Sequence, residues 1–269
     1  MKIEILLATM FFEKEEKDYL KNMNIQTDII VGNQCDKDGN EEFYHGENKV
    51  RVISTTDRGV GKNRNLLLEN ATADILLFAD NDVKYYDGYK EKILNFYTQN
   101  PDADLVVFNF KESRGGEPLH DLNLETKKAK LKDATKFGAF VVSAKRESIK
   151  KVGLSFSLLF GGGAVYGSGE DSIFIADCFR KKLNVYLCGE TLGEVNHRDS
   201  TWFKGITEKY VFDKGALFKA MCPKLFRLAI IRHIIKHRRL YSSVGKPCKV
   251  YKLMIKGARD YKTRLKGSK

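Results

Sequence analysis

The sequence is short of the residues that mark several common architectures. Its 269 residues include one tryptophan, four prolines and five cysteines. Cys35, Cys178, Cys188, Cys222 and Cys248 are odd in number and widely spaced, with no C-x-x-C pair. That argues against a disulfide framework and a zinc site, and the thiols are expected to be reduced. No apolar stretch approaches the roughly 18–20 residues that span a bilayer. The longest candidate, residues 152–165, is broken by serines and a glycine triplet. Residues 5–12 follow Glu4 and precede a charged segment, without a basic leader or a small-residue cleavage site. They are expected to be a first strand rather than a signal peptide. Internal repeats and low-complexity segments are missing as well. What the chain does have is 17 Phe, 12 Tyr and recurrent apolar runs, enough for a core and too many for a disordered chain.

The formal net charge of +12 is unevenly placed. Residues 204–269 carry 19 Lys and Arg against three Asp and Glu, a surplus of +16. Residues 1–203 carry 28 basic and 32 acidic side chains, a balance of −4. A mildly acidic globular domain over 1–203 and a basic, mainly helical extension over 204–269 are expected, with the boundary near residues 202–205. A binder that coats nucleic acid would carry its charge across the folded body, so no nucleic-acid partner is expected.

Short apolar or β-branched runs at 2–9, 27–31, 50–54, 74–79, 103–110, 137–143 and 183–187 read as strands. Helix-prone segments at 13–23, 61–71, 88–97 and 170–182 fall between them, with a turn-rich stretch at 36–40 and a polar surface excursion at 111–135. The alternation implies an α/β fold, a mostly parallel sheet flanked by helices, with ligands at the carboxyl ends of the strands.

Four stretches hold residues capable of chemistry. In Phe78-Ala79-Asp80-Asn81-Asp82-Val83 a strand runs into two carboxylates. If extended, they point to one side and suit magnesium or manganese; an Asp-rich turn is the structural alternative. Residues 57–65 form a glycine-rich loop opening a helix. It is not a Walker loop, because Thr56 and Asn63 stand at required Gly and Ser/Thr positions. Its Arg58, Lys62 and Arg64 would suit a diphosphate, or only a solvated first turn. Gly167-Ser168-Gly169-Glu170-Asp171 places two acids at a helix start, where they complement the helix dipole or supply a general base. The last stretch joins His197 to a Ser200-Thr201 cap and to Trp202.

In order and spacing these elements resemble glycosyltransferase family 2, with its A-type glycosyltransferase fold. The resemblance covers a strand-ending Ala8-Thr9, R-G-x-G-K-x-R-N from Arg58, L-L-F-A-D-N-D-V, G-E-D-S, and a histidine before S-T-W. It spans about residues 2–205 and implies an inverting hexosyltransferase-type enzyme that uses a nucleotide-sugar donor, with a UDP-sugar expected. Asp80, Asp82 and His197 would bind a divalent metal, Mn or Mg. Arg58, Lys62, Arg64, Asn65, Asp80 and Asn81 would line the donor, with Ala8, Thr9 and Asn33 near the nucleoside. Asp171 would be the catalytic base, with Glu170 beside it for acceptor positioning. The family's aspartate after the second strand is not evident in Gly32-Asn33-Gln34-Cys35-Asp36, so a base contact falls to Asn33, Asp36 or neither.

The implied acceptor is a glycan or lipid-linked sugar in cell-surface polysaccharide biosynthesis. That role would place the chain in the cytoplasm, with peripheral contact at the inner face of the plasma membrane. The basic extension, with Pro223 and Pro247 as breaks, is expected to hold at least two helices. Its aliphatics between residues 224 and 240 do not form one clean stripe, yet clustered Lys and Arg beside them suit an anionic membrane surface. Helices packed on the core with a solvated basic face are the alternative. Two rival functions remain. A nucleotidyltransferase would want a glycine-rich loop directly after the first strand, where Thr9-Met10-Phe11-Phe12 stands. A noncatalytic module that binds nucleic acid or membrane through the tail leaves the carboxylates without a role.

Overall fold

The structure is a computed structural model that describes residues 1–12, 17–115, 117–119, 124–197 and 205–267. Strands β1 (Ile3–Met10), β2 (Asp28–Gln34), β4 (Asn48–Thr55) and β5 (Ile75–Ala79) form a parallel block in the order β4-β2-β1-β5. All five residues of β5 are buried, as expected of a central strand covered on both faces. Beyond β5 the sheet becomes mixed. Strand β10 (Val142–Lys145) runs antiparallel to β5 and to β7 (Leu105–Arg114), and β11 (Val185–His197) is parallel to β7. β6 (Val83–Tyr85) closes that side, and the two-residue strands β8 (Glu117–Pro118) and β9 (Lys127–Lys128) pair with β7 and β11.

Helices α1 (Lys17–Asn22), α2 (Val60–Asn70), α3 (Tyr89–Gln99), α4 (Arg146–Val152) and α5 (Glu170–Arg180) flank the sheet. Several segments differ from the sequence reading: β6, β8, β9 and α4 have no counterpart in it, and β7 runs on to Arg114 inside the stretch read as a surface excursion. The turn-rich stretch leads into an antiparallel edge strand, β3 (Gly39–His45), which carries mostly polar residues because its side chains meet solvent. The segment expected as a strand over 137–143 is a 3₁₀ turn, Ala139–Val141, that enters β10. The strand expected to end at Leu187 continues to His197 through register shifts between Leu187 and Gly193, which is how a histidine reaches the site.

The basic extension contains α6 (Glu208–Met221), α7 (Phe226–Lys236) and α8 (Pro247–Gly267). Pro223 lies between α6 and α7, and Pro247 starts α8, where its missing N–H costs nothing. Ala216, Leu217, Ala220 and Met221 of α6 join the main core, while Val211, Ile230, Ile234, Tyr241, Val250 and Met254 build a second cluster among the three helices. All five cysteines are free thiols. Among the described residues no helix is long and apolar enough to cross a membrane.

Candidate active site

Asp80 follows the carboxyl end of β5, and Arg64 approaches it from α2. The Arg64 side chain is only 4% exposed and meets three carboxylates. Its Nη2 donates to Asp80 Oδ1 at 2.9 Å, and its Nη1 donates to Glu170 Oε1 at 3.3 Å and to Asp171 Oδ1. Beneath it Phe156 and Phe174 stack at 4.1 Å, with Phe78 edge-on to both. The guanidinium lies 5.3 Å from the Phe156 ring centroid. This dry floor strengthens the ion pairs and leaves the cluster with more negative than positive charge. Burial pushes the Asp171 carboxyl up to about 7, Glu170 and Asp80 add to the shift, and Arg64 and a backbone hydrogen bond from Ala139 oppose it.

Two glycine-bearing loops hold the cluster in place. Val60 N–H donates to Gly162 O at 3.1 Å, joining the start of α2 to the loop before α5. Gly161, at φ +106°, lies so close that a Cβ would sit 2.6 Å from Val60 Cγ1 and 2.9 Å from Glu170 Cδ. Only glycine fits there.

The expected D-x-D geometry is corrected. Residues 80–82 are not extended but turn between β5 and β6, so the two carboxylates diverge. Asp80 is held by Arg64, whereas Asp82 Oδ2 faces His197 Nδ1 at 3.7 Å. The other ring nitrogen, Nε2, donates to Glu112 Oε2 at 2.9 Å on neighbouring β7. One Asp82 carboxylate oxygen and the ring nitrogen Nδ1 thus stand 3.7 Å apart, close enough for one ion to share. Carboxylate and imidazole are both ligand types that divalent metals accept. Among the described residues no three His, Cys, Asp or Glu side chains are grouped to hold a metal. Asp82 and His197 therefore fit part of an ion's shell, and Asp80 does not contribute in this arrangement.

Several expected donor contacts are committed to protein partners. Asn33 accepts from Phe12 N–H at 2.8 Å and donates to Phe12 O and Ser54 Oγ, so it fixes the chain leaving β1. Asn65 braces the Phe156 backbone in both directions. The amide of Gly59 is bonded to Gln34 Oε1 at 2.6 Å, and with Val60 also engaged the expected helix-start cradle is partly filled. Arg64, buried among carboxylates, is likewise no open phosphate ligand.

The mouth of the site is different. Arg58 Nη1 donates to the backbone carbonyls of Cys35, Thr55 and Thr56, while its Nη2 pairs with exposed Asp36 at 2.6 Å, and Lys62 pairs with Asp57 at 2.7 Å. The carbonyls fix the Arg58 side chain, and the two exposed ion pairs contribute little and exchange readily. Thr9 is buried with its carbonyl receiving Asn63 Nδ2, Ala8 is half-buried, and the Asn81 side chain is exposed. Sequence reasoning missed two residues here. Phe11, at φ 52°, is an exposed ring 5.8 Å from the Arg58 guanidinium, and its signal was the aromatic pair ending the first strand. Glu112 had no signal, because it lies in the polar stretch read as a surface excursion. Arg198, Asp199, Ser200, Thr201 and Trp202 fall outside the described residues.

The sequence profile described as Glycosyl transferase family 2 matches residues 20–152. EpsH of Bacillus subtilis (strain 168), assigned by name as a glycosyltransferase, is 28% identical over 116 residues. That match covers 40% of this chain and 33% of EpsH, so the chain spans about a third of that relative's length. The crystal structure of Staphylococcus aureus TarS 1–349 in complex with UDP-GlcNAc superposes with a TM-score of 0.62 at 16% identity, covering 86% of this chain and 67% of that one. TarS 1–349 in a further crystal structure superposes at 0.61 and 13% identity, over 98% and 92% of the two chains. At these identities the structural likeness establishes the fold, and the profile adds a family likeness over residues 20–152. Over residues 20–152 the chain matches glycosyltransferase family 2.

Proposed function

We propose that this chain is an inverting, metal-dependent glycosyltransferase. It moves a sugar from a nucleotide-sugar donor, read as a UDP-sugar, to a hydroxyl of a glycan or lipid-linked acceptor in cell-surface polysaccharide biosynthesis. The observation that carries the reading is Arg64 gathering Asp80, Glu170 and Asp171 at the carboxyl end of the sheet, with Asp82 and His197 beside them. The UDP-GlcNAc complex of TarS supports the choice of a uridine donor.

Asp171 accepts the proton of the acceptor hydroxyl as that oxygen attacks the anomeric carbon. The bond from that carbon to the diphosphate oxygen breaks, and the nucleoside diphosphate leaves from the opposite face. A carboxyl poised near neutrality is matched to this task. Glu170, bonded to Arg64 and to Gly169 N–H, fixes the start of α5 and hence the direction of Asp171. Arg58 and Lys62 exchange their exposed aspartates for phosphate oxygens, and Phe11 offers a face to the base. Asp82 and His197 would hold the divalent ion, which when bound supplies Lewis-acid neutralisation of the leaving diphosphate. Charge explains why one is needed, since an anionic donor is repelled by an acidic cluster. The basic extension brings the enzyme to an anionic membrane face, where a lipid-linked acceptor resides.

Calorimetric titration with UDP, UDP-sugars and GDP-sugars, with manganese or with chelator, tests this reading. The expected result is metal-dependent binding of uridine nucleotides that Asp82→Ala abolishes. Asp171→Asn is expected to keep donor binding while losing nearly all transfer. A folded protein that binds none of these nucleotides would sink the proposal.

A further inference from the structure

Helix α7 resolves the scattered aliphatics of the basic extension into two faces. Ile230 and Ile234, four apart, are buried against α6 and α8. Leu228, Ile231 and Ile235, at i, i+3 and i+7, form a second row that is 65%, 44% and 69% exposed. Leu225 just before the helix and Leu240 after it are exposed as well. A row of adjacent open aliphatics is the kind of surface that a folded chain covers with something.

The charge around this row says what covers it. With about 100° per residue, Arg227 lies along one side of the row and Arg232 and Lys236 along the other, while Arg238 and Arg239 are exposed in the turn that follows the helix. The three acids of the extension are all engaged elsewhere. Glu208 pairs with Lys249, Asp213 with Lys209 and Asp260 with Arg264. Among the described residues, none of these five cations, three on the helix and two in the turn after it, has an acidic partner within salt-bridge distance.

We infer that this outer face of α7 is a membrane-docking surface, with its aliphatic row seated among acyl chains and its two cationic borders on anionic phospholipid headgroups. A second copy of the chain would bring like charge against like charge. Nucleic acid would meet aliphatics where stacking rings are needed. An anionic bilayer satisfies both the row and its borders. The inference rests on the reading of the extension as a membrane-contact region and narrows it to one helix face, independent of the chemistry at Asp171.

The test is flotation of the full chain with vesicles of phosphatidylcholine alone, or containing about 30 mol% phosphatidylglycerol, at low and high salt. The expected result is binding to the anionic vesicles only, weakened by salt. Leu228→Ser/Ile231→Ser/Ile235→Ser should weaken it at least about tenfold, and Arg232→Gln/Arg239→Gln should do the same. Uridine nucleotide binding, measured without lipid, should stay unchanged in both variants, which separates failure of this inference from failure of the catalytic reading. Equal binding by the triple-serine variant, or no binding by the wild type, overturns the proposal. So does a dimer that the triple-serine change dissociates without any vesicle binding.

Discussion

At the scale of single residues, one buried cation organises the site. Arg64 serves three carboxylates, and removing one partner of such a group typically costs about 3–5 kcal/mol because the others stay buried and unpaired. Its effect on Asp171 sets a pH dependence. Burial raises that carboxyl to about 7, with Arg64 the chief opposing influence. The ionised base is lost as pH falls, so kcat/KM should decline with an acidic limb near pH 7. Arg64→Gln should move the limb to higher pH, while Arg64→Lys, which keeps the charge, should hold it closer to wild type. A folded Arg64→Gln enzyme with an unmoved limb would remove Asp171 from the role of base. The motif positions of Arg64, Asp80, Glu170 and Asp171 were legible in the sequence. Their mutual pairing was not, because it depends on side-chain direction and on a turn at 80–82. Glu112 was invisible for a related reason, since its partner His197 is distant in sequence and the surrounding polarity reads as loop.

At the scale of elements, hydrophobic pattern was readable wherever one face is buried and unreadable where polarity hides a strand or two faces compete. The apolar run of β5 announced itself, whereas β3 is polar because it is an exposed edge. Helix α7 concealed its order because adjacent residues Ile230 and Ile231 point to opposite environments. Two glycines that sequence alone would count as helix weakeners turn out to set the α6–α8 crossing. A Cβ on Gly215 would lie 1.9 Å from Met254 O, and one on Gly257 would lie 1.9 Å from Phe212 O. Alanine for glycine in a helix interior ordinarily stabilises by about 1 kcal/mol, but here it would meet rigid backbone. Overpacking of that kind costs about 1–3 kcal/mol, so the clash wins. Gly257→Ala should lower the midpoint of thermal unfolding by a few degrees, roughly 2–4 °C per kcal/mol for a chain of this size. A raised midpoint would show that the helices part at no cost.

At the scale of the whole molecule, charge divides the chain near residue 204, yet packing and hydrogen bonds run across that line. The extension reaches back to the loop that leads into Glu170 and Asp171. Asp213 of α6 accepts from Gly167 N–H at 3.0 Å, Lys209 donates to Val165 O at 2.9 Å, and Tyr166 donates to Asp260 of α8 at 2.7 Å. Gly169 takes φ +119° where a Cβ would strike Leu217 of α6 at 2.7 Å. Composition registers a change of charge but not which apolar face of α6 is shared, and so it could not show this bracing. The consequence is kinetic, because a base displaced by about 1 Å loses up to a hundredfold in rate while the donor pocket stays whole. Asp213→Ala removes the acceptor of the Gly167 amide and the partner of Lys209 without touching any residue that meets the donor. Its kcat should fall about tenfold or more with the affinity for uridine nucleotide little changed. Single-turnover transfer and calorimetry on the same preparation separate the two. Wild-type turnover in a folded Asp213→Ala enzyme would mean that the loop holds its position unaided, and the extension would then be left with the membrane as its sole task.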